Sequence, residues 1–327
     1  MRKLMMAAGM TAAFLMLTGC GNSGYMKAEE SDGTEQMKQS LDEQGEKDTA
    51  GSAAAQKDTE AEDVETEEDS TEDSVQKEQV AAESEPVQLA GRTISFFGDS
   101  ITTFRGYNPE GYAVFFPEYG AVKKVEDTWW QRVVEDLELT LYKNGSSSGA
   151  TVAGDSTGTE DPACACNELR TGALAGPQGV CPEIILVYLG TNDFLNAVPL
   201  GTNDGTVLVE EGEIAAFSDA YTLMIDKLES KYPLAEIYCC TLLPVGDYGT
   251  KTPYVDFVNG DGLTTADYSR VIEQIAENKG LSVIDLQDCG VTIDNLAEMT
   301  SDGVHPTAAG MACIAEAVKE TIEVRQR

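Results

Sequence analysis

From Glu183 to Leu189 the chain carries an unbroken apolar run, Ile-Ile-Leu-Val-Tyr-Leu after the glutamate. A strand with one wet face alternates polar and apolar residues, so a run without alternation implies a strand covered on both sides, as in a parallel sheet between helices. The neighbouring segments agree. Thr93 to Phe97, Leu139 to Tyr142, Glu236 to Leu242 and Leu281 to Ile284 have strand character. Thr128 to Leu137, Ile214 to Lys231, Thr264 to Lys279 and Thr307 to Val324 carry apolar residues at helical spacing. Strands alternating with crossover helices predict a three-layer α/β/α sandwich around a central, mostly parallel sheet.

Sites in such sheets gather at the carboxyl ends of the strands. Gly98-Asp99-Ser100 follows the first strand and Gly190-Thr191-Asn192-Asp193 follows the Glu183–Leu189 run, so both open onto the same edge. The chain has a single histidine, His305, three residues after Asp302 in Ser-Asp-Gly-Val-His-Pro. A serine hydroxyl is a weak nucleophile until a base takes its proton, and His305 is the one imidazole able to do so for Ser100. Asp302 could orient the ring. Each piece alone has a plainer reading: Gly-Asp-Ser is frequent in turns, Asn192 could cap a helix, Asp302 could be a loop carboxylate and His305 a surface residue.

Three decoys compete. Gly145-Ser146-Ser147-Ser148-Gly149 fits the Gly-x-Ser-x-Gly elbow, but a serine-rich stretch meets that pattern easily. Gly201-Thr202-Asn203-Asp204 repeats the tetrapeptide at 190–193, yet it follows Pro199 and no buried strand, and reads as a turn. Cys289 or Cys313 paired with His305 would give a cysteine hydrolase, but one lies in an unmarked turn and the other on a helix.

Taken together, residues 93 to 320 resemble the SGNH (GDSL-type) hydrolase superfamily, whose fold is flavodoxin-like. The resemblance rests on Gly98-Asp99-Ser100, Asn144 to Gly149, Gly190-Thr191-Asn192-Asp193 and Asp302-Gly303-Val304-His305, in the family's order. It implies Ser100 as nucleophile, Asp302 and His305 as acid and base, and an oxyanion hole built from the Ser100 N–H, the Gly149 N–H and the Asn192 amide. Donors preorganised for an oxyanion are worth about 3 to 4 kcal/mol each. The reaction implied is hydrolysis of a carboxylic ester through an acyl-enzyme, with no metal or cofactor.

Upstream, Arg2 and Lys3 precede an apolar stretch from Leu4 to Leu17 that is too short to span a bilayer comfortably, followed by Leu17-Thr18-Gly19-Cys20. This resembles a bacterial lipoprotein signal, which implies cleavage before Cys20, acylation of that residue and attachment to the outer face of the cytoplasmic membrane. From Gly21 to Ala90 there are 21 acidic and 5 basic residues, a net of −16, and one aromatic, Tyr25. Such a segment cannot bury enough apolar surface to offset its ordering entropy and is expected to be a disordered spacer. The expected organisation is a signal peptide at 1–19, an anchored linker at 20–90 and a hydrolase domain at 91–327. With a formal charge of −35, neither nucleic acid nor anionic lipid is an expected partner. Seven cysteines follow Cys20 without even spacing, so they read neither as a disulfide framework nor, beside one histidine, as a zinc set.

The segment 104–119 is long and aromatic, and Tyr107, Tyr112 and Phe115 are candidates for a substrate pocket or a sugar-stacking surface. Trp129 and Trp130, which open a helix, read as core. No long amphipathic lid is visible, which favours a small acyl group, acetyl foremost, on a carbohydrate or other surface alcohol. A lysophospholipase or other lipid acylhydrolase is the alternative within the enzyme class. A catalytically silent glycan-binding lipoprotein is the alternative outside it.

Overall fold

The computed structural model describes residues 88–247 and 257–325. The signal segment, Cys20 and nearly all of the acidic stretch lie outside them. Leu89, at the start of the described chain, already packs against the core. The elements in order are β1 (Thr93–Gly98), α1 (Trp129–Asp136), β2 (Thr140–Asn144), β3 (Gly154–Asp155), α2 (Glu168–Thr171), β4 (Ile184–Tyr188) and α3 (Thr191–Leu195). They continue with β5 (Glu213–Ile214), α4 (Phe217–Lys231), β6 (Glu236–Cys240), α5 (Thr265–Asn278), β7 (Ser282–Ile284), α6 (Leu296–Met299) and α7 (Ala308–Arg325).

Five strands form one sheet in the order β2-β1-β4-β6-β7, and every neighbouring pair is parallel. With helices around this sheet the fold is the expected three-layer sandwich. All five residues of β4 are buried, which is why its sequence needs no alternation. The chain moves from β1 outward to β2, then returns to the other side of β1 for β4, β6 and β7. That reversal makes the carboxyl ends of β1 and β4 the switch point of the sheet, where α/β sheets place their ligands.

Helix α1 packs against α7, and α4 against α5. Trp129 and Trp130 are fully buried, and Trp129 meets Phe96 of β1 edge to face at 5.2 Å between ring centroids. The Thr128 hydroxyl caps α1 by accepting the Gln131 N–H. At α5 the Asp267 carboxylate accepts both the N–H and the hydroxyl of Thr264, which closes a capping box.

One expected element changes. The helix expected from Ile214 begins at Phe217, because Glu213–Ile214 pair antiparallel with Gly154–Asp155 instead. Ile214 has the apolar character of a helical face, but pairing to a distant strand outweighs local periodicity. Cys239 and Cys240 are buried in β6, consistent with small core residues.

Candidate active site

Immediately after β1, Asp99 takes an extended conformation and its carboxylate accepts the Ile101 N–H at 3.0 Å, opening a short 3-10 turn over Ser100–Thr102. Gly98 is required here: a Cβ would lie 2.5 Å from Thr102 Oγ1 and 3.0 Å from Ser146 Oγ. The turn places Ser100, which is 6% exposed, just past the carboxyl end of β1.

The loop before α7 supplies the rest. One oxygen of Asp302, Oδ1, accepts the N–H groups of Val304 and His305 at 3.1 and 2.8 Å and so folds the Asp-Gly-Val-His turn. The other oxygen, Oδ2, lies 2.8 Å from His305 Nδ1, and His305 Nε2 lies 2.9 Å from Ser100 Oγ. A carboxylate that accepts the Nδ1 proton leaves Nε2 bare to accept from the serine hydroxyl. Burial pushes the Asp302 carboxyl up, but its hydrogen bond from His305, the nearby imidazole and the two backbone N–H groups outweigh this and hold it below the usual range. The Phe115 ring lies flat on the imidazole, with centroids 3.5 Å apart and planes 10° from parallel.

On the loop after β2, Gly149 has φ +78, and a Cβ placed on it meets nothing within 4 Å. Among the described residues, neither the Ser100 N–H nor the Gly149 N–H has a hydrogen-bond acceptor. N–H groups left without an acceptor in this way are of the kind that a tetrahedral oxyanion can use. The Asn192 side chain, on the first turn of α3, donates to Ala150 O at 3.0 Å and lies 3.4 Å from Asp99 Oδ2. Its amide therefore already touches the glycine loop, with its second N–H only loosely engaged.

Next to it, Asp193 accepts the Val152 and Ala153 N–H groups at 2.8 and 3.0 Å and draws the loop after Gly149 onto α3. Burial pushes the Asp193 carboxyl up to about 7 despite these bonds, and likewise pushes Asp99 up to about 6.

Of the aromatic candidates, Phe115 comes to the imidazole. Tyr107 packs on Trp130 at 5.2 Å, and Tyr112 lies over the Arg170 guanidinium at 5.6 Å. Ser147 is buried, and its N–H is spent on Gly98 O at 3.1 Å. The stretch around it runs on to β3 with no helix after it, so the strand–turn–helix context of a nucleophile elbow is not met. Asn203 closes a turn through Gly205 N and Val207 O.

Three residues of the site carry no role from sequence: Asp99, Asp193 and Arg170. Asp193 lies in the first turn of α3, whereas Asp99 was visible as a turn former directly after a strand, a usable signal. Arg170 has none, since its partners lie far away along the chain.

The chain matches the model of the GDSL-like lipase/acylhydrolase family over residues 92–322. No curated protein matches it. Among solved structures it is similar to a Bacteroides ovatus protein named as a GDSL-like lipase, at 23% identity and a TM-score of 0.53, over 72% of this chain and 99% of that one. A Bacteroides uniformis protein of the same naming is 24% identical, with a TM-score of 0.53 over 72% of this chain and 96% of its own. A Lactobacillus plantarum protein is 20% identical, with a TM-score of 0.53 over 72% and 98%. At these identities the structural likeness speaks for the fold, and the activity class comes from the family match. The chain therefore belongs to the GDSL-like lipase/acylhydrolase family and is a carboxylic ester hydrolase.

Proposed function

We propose that the protein is an exported serine esterase, tethered by lipid at Cys20, that removes short acyl groups from carbohydrate or other surface alcohols. The observation that carries the catalytic part is the continuous relay from Asp302 Oδ2 through His305 to Ser100 Oγ, at 2.8 and 2.9 Å. In the reaction, His305 Nε2 takes the Ser100 proton as Oγ attacks the ester carbonyl. The oxyanion is held by the N–H groups of Ser100 and Gly149 and by the Asn192 amide. His305 then gives the proton to the departing alcohol and, as base again, activates the water that releases the acid.

The recessed nucleophile and base, 6% and 5% exposed, support a small acyl group. Aromatic surface supports a sugar alcohol: Phe115 on His305 is followed by Tyr119 at 5.6 Å, and Tyr119 is 64% exposed. Such a step of rings leading outward suits the flat face of a sugar. The signal-like sequence before Cys20 and the polar stretch after it support surface attachment.

A series of p-nitrophenyl esters from acetate to dodecanoate, with fluorophosphonate labelling, tests the proposal. Highest kcat/KM on acetate and labelling abolished in Ser100→Ala are expected. A preference for long chains favours a lipid acylhydrolase, and labelling that survives in Ser100→Ala sinks the assignment of the nucleophile.

A further inference from the structure

An ionised side chain buried without a counter-charge costs several kcal/mol. Arg170 comes close to that position, with the field of the Asp99 carboxylate as its compensation. It is fully buried, its guanidinium hydrogen-bonds to no carboxylate among the described residues, and its Cζ sits between the rings of Phe97 and Tyr112 at 4.9 and 5.6 Å. Its donors go instead to three backbone carbonyls: Nε to Gly145 O at 3.1 Å, Nη1 to Pro162 O at 2.6 Å and Nη2 to Gly98 O at 2.8 Å.

Those carbonyls belong to the segments that build the site. Gly98 ends β1 just before Asp99 and Ser100. Gly145 opens the loop that reaches Gly149. Pro162 leads into the segment that pairs with the far side of that loop, where Thr151 N bonds Ala163 O at 3.0 Å and Ala165 N bonds Thr151 O at 2.8 Å. Gly98 O also accepts the Ser147 N–H at 3.1 Å, so the nucleophile turn and the glycine loop close on one carbonyl that Arg170 holds from behind. Three carbonyls in divergent directions match the planar fork of a guanidinium, which the single ammonium of lysine cannot reproduce.

We propose that Arg170 is the positioning residue of the oxyanion hole: by holding the carbonyls of Gly98 and Gly145 it fixes the spacing between the Ser100 and Gly149 N–H groups. The inference rests on the reading of Ser100 and Gly149 given above. It accounts for a buried cation that core packing alone leaves unexplained. The same charge is felt at Asp99, whose carboxyl burial raises and Arg170 partly draws back down.

The test uses Arg170→Lys and Arg170→Met in the full chain. Active sites are counted by fluorophosphonate stoichiometry, and kcat and KM on p-nitrophenyl acetate are expressed per counted site, which removes any misfolded fraction. Affinity for phenylboronic acid, which forms a tetrahedral anion on the nucleophile, is measured alongside. Per site, Arg170→Lys is expected to lose about 10- to 100-fold in kcat with KM within about twofold, and to lose boronate affinity in step. Arg170→Met loses more. Should Arg170→Met fail to fold, Arg170→Lys decides alone. Wild-type turnover per counted site in Arg170→Lys, or a fall in kcat with boronate affinity unchanged, overturns the proposal. Labelling that persists in Ser100→Ala overturns the underlying assignment of the nucleophile, and the inference with it, so the two failures are told apart.

Discussion

Replacing Phe115 by leucine separates two roles for the ring that lies on His305. The stack is close, 3.5 Å between centroids and 10° from parallel, and the imidazole beneath it is only 5% exposed. Proton transfer from Ser100 turns that imidazole into a cation under an aromatic face. The attraction between them is worth about 1 to 2 kcal/mol when the cation is desolvated. Because the charge exists only once the proton has moved, this energy belongs to the transition state and not to substrate binding. Its loss corresponds to about a 5- to 30-fold drop in kcat. The backbone of Phe115 is held independently, its N–H donating to Thr103 Oγ1 at 2.9 Å, so leucine leaves the loop anchored. Steady-state kinetics on p-nitrophenyl acetate are expected to show lower kcat at nearly constant KM, with Phe115→Tyr keeping most of the rate because it keeps the π face. A rise in KM at unchanged kcat refutes this reasoning and makes Phe115 an ordinary wall of the substrate pocket.

Asn192→Ala is expected to lower kcat by about 10²- to 10³-fold with little change in KM, whereas Asn203→Ala, at the repeated tetrapeptide, leaves kinetics on p-nitrophenyl acetate near wild type; equal losses would place the oxyanion amide wrongly. Asp193 and Asp99 have carboxyls raised from 3.8 to about 7 and about 6, so between those limits the folded protein holds protons that the unfolded chain has released, and stability falls as pH rises through the window. Asp193→Asn cannot ionise, so its melting temperature should drop less than wild type between pH 5 and pH 7; parallel profiles in calorimetry would show that Asp193 does not carry the effect. A chain beginning at Glu85 is expected to be soluble and as active on small esters as the full mature protein, and Cys20→Ser to release the protein from membranes or stall its processing. Loss of activity in the shortened chain, read in the same ester assay, would mean that the acidic segment packs on the hydrolase domain.

The fold was legible because its strands announce themselves locally. Ile184 to Tyr188 reads as a doubly covered strand, and Thr264 with Asp267 marks the start of α5 within four residues. The proposed catalytic residues were legible only from the four motifs together in the family's order, since Gly98-Asp99-Ser100 or Asp302-Gly303-Val304-His305 alone also reads as an ordinary turn. What escaped was whatever depends on distant partners. Ile214 looked helical because its strand partner, Gly154, is sixty residues away. Phe115 was visible as an aromatic residue near the nucleophile, but nothing local says that its face covers the imidazole. Arg170 was invisible, because its meaning is the sum of three carbonyls at positions 98, 145 and 162.

The hydrogen bond from Ser100 to His305 closes a loop of 205 residues. Ser100 follows β1, while His305 sits just before α7, and α7 reaches back to pack on α1. On the proposed mechanism a chain interrupted before residue 305 lacks its base and is expected to be inert however well its early strands have paired. Contacts this remote in sequence also close late and slowly. On the proposed mechanism, the recovery of hydrolytic activity after denaturation therefore reports the docking of the Asp302–His305 turn onto the turn at Ser100.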